Sequence, residues 1–196
     1  MALNWVQLDP QGGRKPLLLP GEKVFEMLSD AALHLEIPPT LSGPKQEVMS
    51  DAHMWLTDRR IVFLASGTTK PTTTSLVGSV YSVVNSYLAA APTPSDSATS
   101  LNMDSLTIPF SSIRDITFEQ GLFTPNGLGV QFIPVPDGNF PQLGRNSFIK
   151  LNVALKEGRV YDIWKRTREL WEESSRKRVE EDTLRKVLVD NDFEGI

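Results

Sequence analysis

The chain has 196 residues and a mass of 21.8 kDa, which leaves room for one domain with a real core. It is 40% hydrophobic and 22% charged, as ordinary globular proteins are, and its net charge of −4 excludes a general attraction to nucleic acid or anionic membrane outside a local basic patch. It contains no cysteine, which excludes disulfides, thiolate metal sites and cysteine nucleophiles and agrees with a reducing intracellular compartment.

The opening "MALNWVQLDPQGG" has no basic region followed by a long apolar stretch, so no secretory leader is expected. No run reaches the roughly 18 apolar residues of a membrane span. Residues 1–21 are rich in Pro and Gly with one apolar triplet, Leu17–Leu19, and are predicted as an extended lead-in. From Glu22 to Ile37, "EKVFEMLSD" and "AALHLEI" read as two short segments pairing around Ser29–Asp30. In the second, Leu33, Leu35 and Ile37 alternate with His34 and Glu36, the period of a half-buried strand. Pro38–Pro39 ends it, and "TLSGPKQ" reads as a loop.

The stretch "HMWLTDRRIVFLAS" carries two apolar runs, Met54–Leu56 and Ile61–Ala65, around the polar knot Thr57–Asp58–Arg59–Arg60. Thr and Asp bond nearby backbone amides, so the knot is predicted to be a hairpin turn rather than an acid–base cluster. Arg59 and Arg60 are then expected to point into water from its tip. Residues 66–105 change character: Ser, Thr, Ala and Pro dominate both ends, as in flexible or regulatory inserts. Within this insert, Leu76, Val80, Val84, Tyr87, Leu88 and Ala91 fall near helical spacing, and Thr93-Pro94 has the form of a phosphorylation site. A membrane-dipping helix there would lack its usual flanking bases.

Leu106, Ile108 and Phe110, then Ile116 and Phe118, predict two strands around a turn at Ser111–Ser112, with Pro109 at an edge or strand end. "GLFTPNGLG" reads as a turn and "VQFIPV" as a strand. "SFIKLNVAL" has the clearest alternation, with Ile149, Leu151, Val153 and Leu155 on one face. After "KEGR" the period changes: Val160, Ile163, Trp164, Thr167, Leu170 and Trp171 form one helix face. A charged helical tail, 172–196, follows, with Val179, Leu184, Val187 and Leu188 as a weaker stripe.

The expected domain is therefore residues 22–171, with the insert at 66–105. About seven short antiparallel strands and one terminal helix is the element order of the pleckstrin-homology-like barrel, a mainly β (α+β) fold. The Trp164/Trp171 face would close its apolar mouth.

"MWLTDRRIVFLAS" resembles the signature of GRAM domains. "MALN", "LTIPFSSIRDITFEQGLFTPNGLGVQFIPV" and "FIKLNVALKEG" resemble the WW-domain-binding protein 2 group, over roughly residues 1–65 and 106–165. The resemblance implies a GRAM domain acting as an adaptor and transcription coactivator in nucleus and cytoplasm, associated with chromatin through protein partners. Animal members bind WW domains through Pro-Pro-x-Tyr motifs. Here Pro38–Pro39 is followed by Thr40–Leu41, so WW-domain binding is not implied, and the chain is similar to a fungal-type member.

No catalytic constellation, cofactor motif or metal set is expected. His34 and His53 lie in strand contexts, and "GLFTPNGLG" lacks the strand-to-helix setting of a phosphate loop. The rival function is phosphoinositide or other lipid-headgroup binding in membrane traffic, with Arg59 and Arg60 as the binding cations. Such binding needs bases converging from the first strand-to-strand loop, and that loop, placed at Ser29–Asp30, carries none. Arg176–Arg178 lies between acidic pairs, a solvated helix face rather than a DNA contact.

Overall fold

The computed structural model describes residues 2–4, 6–10, 13–40, 43–66, 103–120, 126–135, 138–144, 147–155 and 159–193, with side chains to residue 185. Its strands are β1 (Ala2–Leu3), β2 (Val24–Ile37), β3 (Gln46–Thr57), β4 (Arg60–Ala65), β5 (Ser105–Pro109), β6 (Ile113–Glu119), β7 (Gly127–Phe132) and β8 (Ile149–Leu155). One α-helix among the described residues, α1 (Val160–Phe193), follows. All strand pairs are antiparallel, in the order β1-β5-β4-β3-β2-β8-β7-β6.

The long β2 makes this architecture. Its whole length pairs with β3, and Ala31–Glu36 also pairs with Leu155–Lys150 of β8. One meander, β2 to β5, thus joins a second, β6 to β8, through a shared strand, and α1 packs against β6, β7 and the turn between β5 and β6. This is the expected pleckstrin-homology-like arrangement of antiparallel strands capped by a C-terminal helix.

Glu22–Ile37 is not two paired segments, however. Between Leu28↔Met54 and Ala31↔Ala52, Ser29 and Asp30 stand opposite the single residue His53. That extra residue is a bulge, which bends a strand and shifts its alternation. Both Ser29 and Asp30 face outward while Leu28 and Ala31 are buried, a break in pattern that mimics a turn. The bend lets one strand serve two wings of the sheet. The first true strand-to-strand connection is residues 38–45.

β3 and β4 form the expected hairpin, and Ile61, Val62 and Phe63 are fully buried. The outer face of this hairpin, Trp55, Val62 and Leu64, is covered by Val6. The lead-in is therefore less extended than predicted. It adds β1 to the β5 edge, and a bridge between Leu8 and Pro16 folds it back on itself. The predicted turn at Ser111–Ser112 is a short 3-10 segment, Phe110–Ser112, with the Phe110 ring fully buried. β8 alternates as predicted, its Ile149, Leu151, Val153 and Leu155 turned inward.

β7 begins at Gly127, inside the stretch read as a turn. Gly129 suits this place because a Cβ would run into the Thr117 hydroxyl on β6, while the exposed Glu119 carboxylate could swing aside. Gly129→Ala is expected to cost about 1–3 kcal/mol of overpacking. A denaturant melt at the wild-type midpoint would disprove the close approach.

The helix buries Val160, Ile163, Thr167 and Leu170, with Trp164 and Trp171 half-buried against the core. Thr167 fits this apolar stripe because its hydroxyl donates to the Ile163 carbonyl one turn back, at 2.7 Å. Residues 172–193 continue the same helix through Ser174–Ser175 without a break, so the tail is an extension of the lid. Val179 and Leu184 stay exposed. The expected helix at 76–91, Thr93-Pro94, residues 121–125 and the side chains of Val187 and Leu188 lie outside the described residues. No helix among the described residues is long and apolar enough to cross a membrane.

Candidate functional site

The polar knot does turn the hairpin. Its Thr57 hydroxyl oxygen accepts the backbone N–H groups of Arg59 (3.2 Å) and Arg60 (3.0 Å), closing a tight connection between β3 and β4. The same hydroxyl donates to the Glu22 carboxylate at 2.8 Å. Arg60 does not point into water. Its Nε and Nη2 reach the two Glu22 carboxylate oxygens, each at 2.8 Å, a bidentate pair. The Glu22 side chain is wholly buried and that of Arg60 only 14% exposed.

Burial raises the Glu22 pKa. The hydrogen bonds from Arg60, the Leu19 amide and Thr57, together with the Arg60 charge, more than offset this and hold it below the ordinary carboxylate range.

The pair also organises the lead-in. Arg60 Nη2 donates to the Leu17 carbonyl at 2.9 Å, and the Leu19 amide donates to Glu22 at 2.6 Å. Pro20 and Gly21 form a tight turn in which the Glu22 amide bonds the Leu19 carbonyl, with Gly21 at φ +74°. A turn with Pro second and a left-handed Gly third is what this dipeptide favours. Asp58 then clamps Lys23, its carboxylate accepting the Lys23 amide and its own amide bonding the Lys23 carbonyl, both at 3.0 Å. Residues 17–23 and 57–60 thus form one rigid platform. Arg59 is exposed on it, with its backbone carbonyl taken by the Phe110 amide.

Of the two predicted site residues, then, Arg59 is free to meet a ligand and Arg60 is committed to a buried ion pair. Sequence reading missed Glu22, the partner that decides this. Glu22 lies 38 residues from Arg60, and no local pattern links them.

At the far end of β2, Lys45 is the base carried by the first connection, a position the predicted turn at Ser29–Asp30 had left without one. It bonds both Glu36 (2.9 Å) and Glu47 (2.7 Å), and His34 approaches Glu47 at 3.4 Å. The Glu47 and Glu36 hydrogen bonds raise the Lys45 pKa, and Lys45 lowers that of Glu47. A lysine so neutralised offers little to a phosphate. His53 stands edge-on to Trp55, ring centres 6.0 Å apart. Among the described residues no three His, Asp or Glu side chains are grouped to hold a metal.

A second surface lies at the start of α1. Exposed Tyr161 meets Phe118 edge-to-face (5.6 Å) and lies tilted against Trp164 (5.4 Å), and the Arg168 guanidinium sits 5.6 Å over the Trp164 ring. On the other flank of the helix, against β2, Arg166 covers the ring of exposed Phe25 at 4.6 Å, and Arg159 pairs with Glu26 at 3.2 Å. Farther along, Lys177 pairs with Glu173, as the solvated-face reading expects. Arg178 instead reaches back to the Ser111 carbonyl at 3.3 Å, tying the helix to the 3-10 turn.

No protein-family model matches this chain. No curated protein matches it either. Among solved structures, it is similar to the Vps36 N-terminal PH domain, at 17% sequence identity and a TM-score of 0.47, over 88% of this chain and 94% of that one.

Proposed function

We propose that this protein is a non-catalytic adaptor of the GRAM type, a member of the WW-domain-binding protein 2 group that holds protein partners and acts in nucleus and cytoplasm as a transcription coactivator associated with chromatin. The observation that carries the docking role is the surface at the start of α1. Tyr, Trp and Arg are the side chains that dominate binding energy at protein interfaces, and here Tyr161, Trp164 and Arg168 form one such cluster on the helix, with Arg166 over Phe25 of β2 as a second on its other flank. The ordered matches quoted from the sequence support the family reading and, through it, the role in transcription.

The test tethers the full chain to a heterologous DNA-binding domain beside a reporter gene, with proximity labelling of its neighbours in the same cells. Wild type is expected to raise transcription and to label transcription factors or chromatin proteins. Phe25→Ser/Tyr161→Ser is expected to lose both. A reporter unmoved by wild type, or a neighbour list unchanged by the variant, would overturn the proposal.

Phosphoinositide binding is the second reading, favoured by Arg59, whose side chain projects from the β3–β4 turn without an ion pair among the described residues. Arg60 would act there only by leaving Glu22.

A further inference from the structure

We propose that the Leu17–Leu19 loop is a membrane-contact element that enters the interfacial layer of an anionic lipid surface while the bases around it hold the headgroups. This stands apart from the adaptor reading and uses a different surface.

Leu17, Leu18 and Leu19 are 44%, 39% and 45% exposed. Scattered surface leucines are normal, but three in a row on one rigid turn form an apolar tip. Pro16 beneath them is buried and anchors the loop. The backbone on either side of the tip is also paired, which limits the penalty of entering a drier layer, while the Leu18 amide and carbonyl have no partner among the described residues and stay at headgroup depth. The Leu17 amide bonds the Gln7 carbonyl at 2.7 Å, and the Leu17 carbonyl takes Arg60. The Leu19 amide takes Glu22, and the Leu19 carbonyl takes the Glu22 amide. Pro16 and Pro20 bring no N–H at all.

The charges point to one kind of surface. Arg14, Lys15, Lys23 and Arg59 are exposed, and none forms an ion pair among the described residues. Of the acids nearby in sequence, Glu22 is buried and neutralised by Arg60, leaving Asp9 and Asp58, the latter accepting the Lys23 amide, against the four bases. In a chain of net charge −4, this local excess of positive charge complements anionic headgroups while the leucines supply the apolar contact.

The experiment sediments the full chain with phosphatidylcholine vesicles, with and without phosphatidylserine. Binding is expected with phosphatidylserine only and should weaken as salt is raised. Leu18→Ser/Leu19→Ser should lower the affinity about tenfold, because two apolar contacts are lost. Arg59→Ala/Lys23→Ala should lower it less and flatten the salt dependence. Circular dichroism melts confirm that each variant is folded. Because the chain lacks cysteine, Leu18→Cys carries a single environment-sensitive fluorophore. Its emission should shift to the blue on phosphatidylserine vesicles.

Vesicle binding unchanged in the leucine variant, or no blue shift, would overturn the proposal. So would binding that needs a phosphoinositide and ignores the leucines, which would favour the headgroup reading. A leucine variant that only turns a dimer into a monomer would assign the loop to self-association instead.

Discussion

Glu22→Ala is expected to lower the unfolding free energy by about 3 kcal/mol, because it leaves the Arg60 guanidinium half-enclosed without its counter-charge. The Leu19 amide also loses its acceptor, and the Thr57 hydroxyl is left with the Arg60 carbonyl alone. Arg60→Ala should cost a similar amount for the mirror-image reason. The double variant should cost clearly less than the two added together, since residues in one network are not independent. Denaturant melts of the three variants measure this. Additive losses would mean that the pair is not a unit.

The effect should depend on pH in one direction. The Glu22 pKa is held below its unfolded value, so the carboxylate contributes its full stabilisation above the ordinary carboxylate range. That contribution is lost as pH falls through the lowered folded value. Wild type and Glu22→Ala should therefore differ most near neutrality and converge in acid. A gap that stays constant across the acid limb would show that the charged form of Glu22 is not what the platform depends on.

Trp164→Ala is the second large effect, a loss of about 2–3 kcal/mol. This is below the cost at a fully buried site because the indole is only half covered. Its ring contacts both Phe118 on β6 and Tyr161 on the helix itself, so removing it loosens the start of α1 and its attachment to the sheet. Trp171→Ala, two turns along, should cost somewhat less, because Trp171 meets no other aromatic ring among the described residues. Thermal melts followed by far-UV circular dichroism would measure both. A Trp164→Ala protein that melts with wild type would mean that Ile163 and Leu170 alone seat the lid. The same substitutions should disturb the docking surface, so partner loss in them must be compared at matched folded fraction.

Several elements were legible because their causes are local. The alternation in β8 and the spacing from Val160 to Trp171 are periodicities that one chain segment carries by itself, and each segment buries the side predicted for it. Bulges are harder. Ser29–Asp30 reads as a turn because two outward residues in succession break the alternation, and only pairing with both β3 and β8 reveals one bent strand. The continuity of α1 through Ser174–Ser175 is hidden for a related reason: the apolar stripe weakens beyond Trp171, but the backbone hydrogen bonding continues.

Local patterning was enough for the β3–β4 hairpin, β8, the start of the lid helix and the turn at Thr57–Arg60, since turn chemistry and hydrophobic period act over a few neighbouring residues. Which charges are available depends on contacts between distant parts of the chain. Arg59 and Arg60 are adjacent and chemically identical, yet one faces water and the other is locked to a glutamate 38 residues away. The same long-range pair fixes the backbone beneath Leu17–Leu19 and leaves those side chains outside. The physical reason is that burial and ion pairing depend on distances set by the whole chain, which no short window of residues contains.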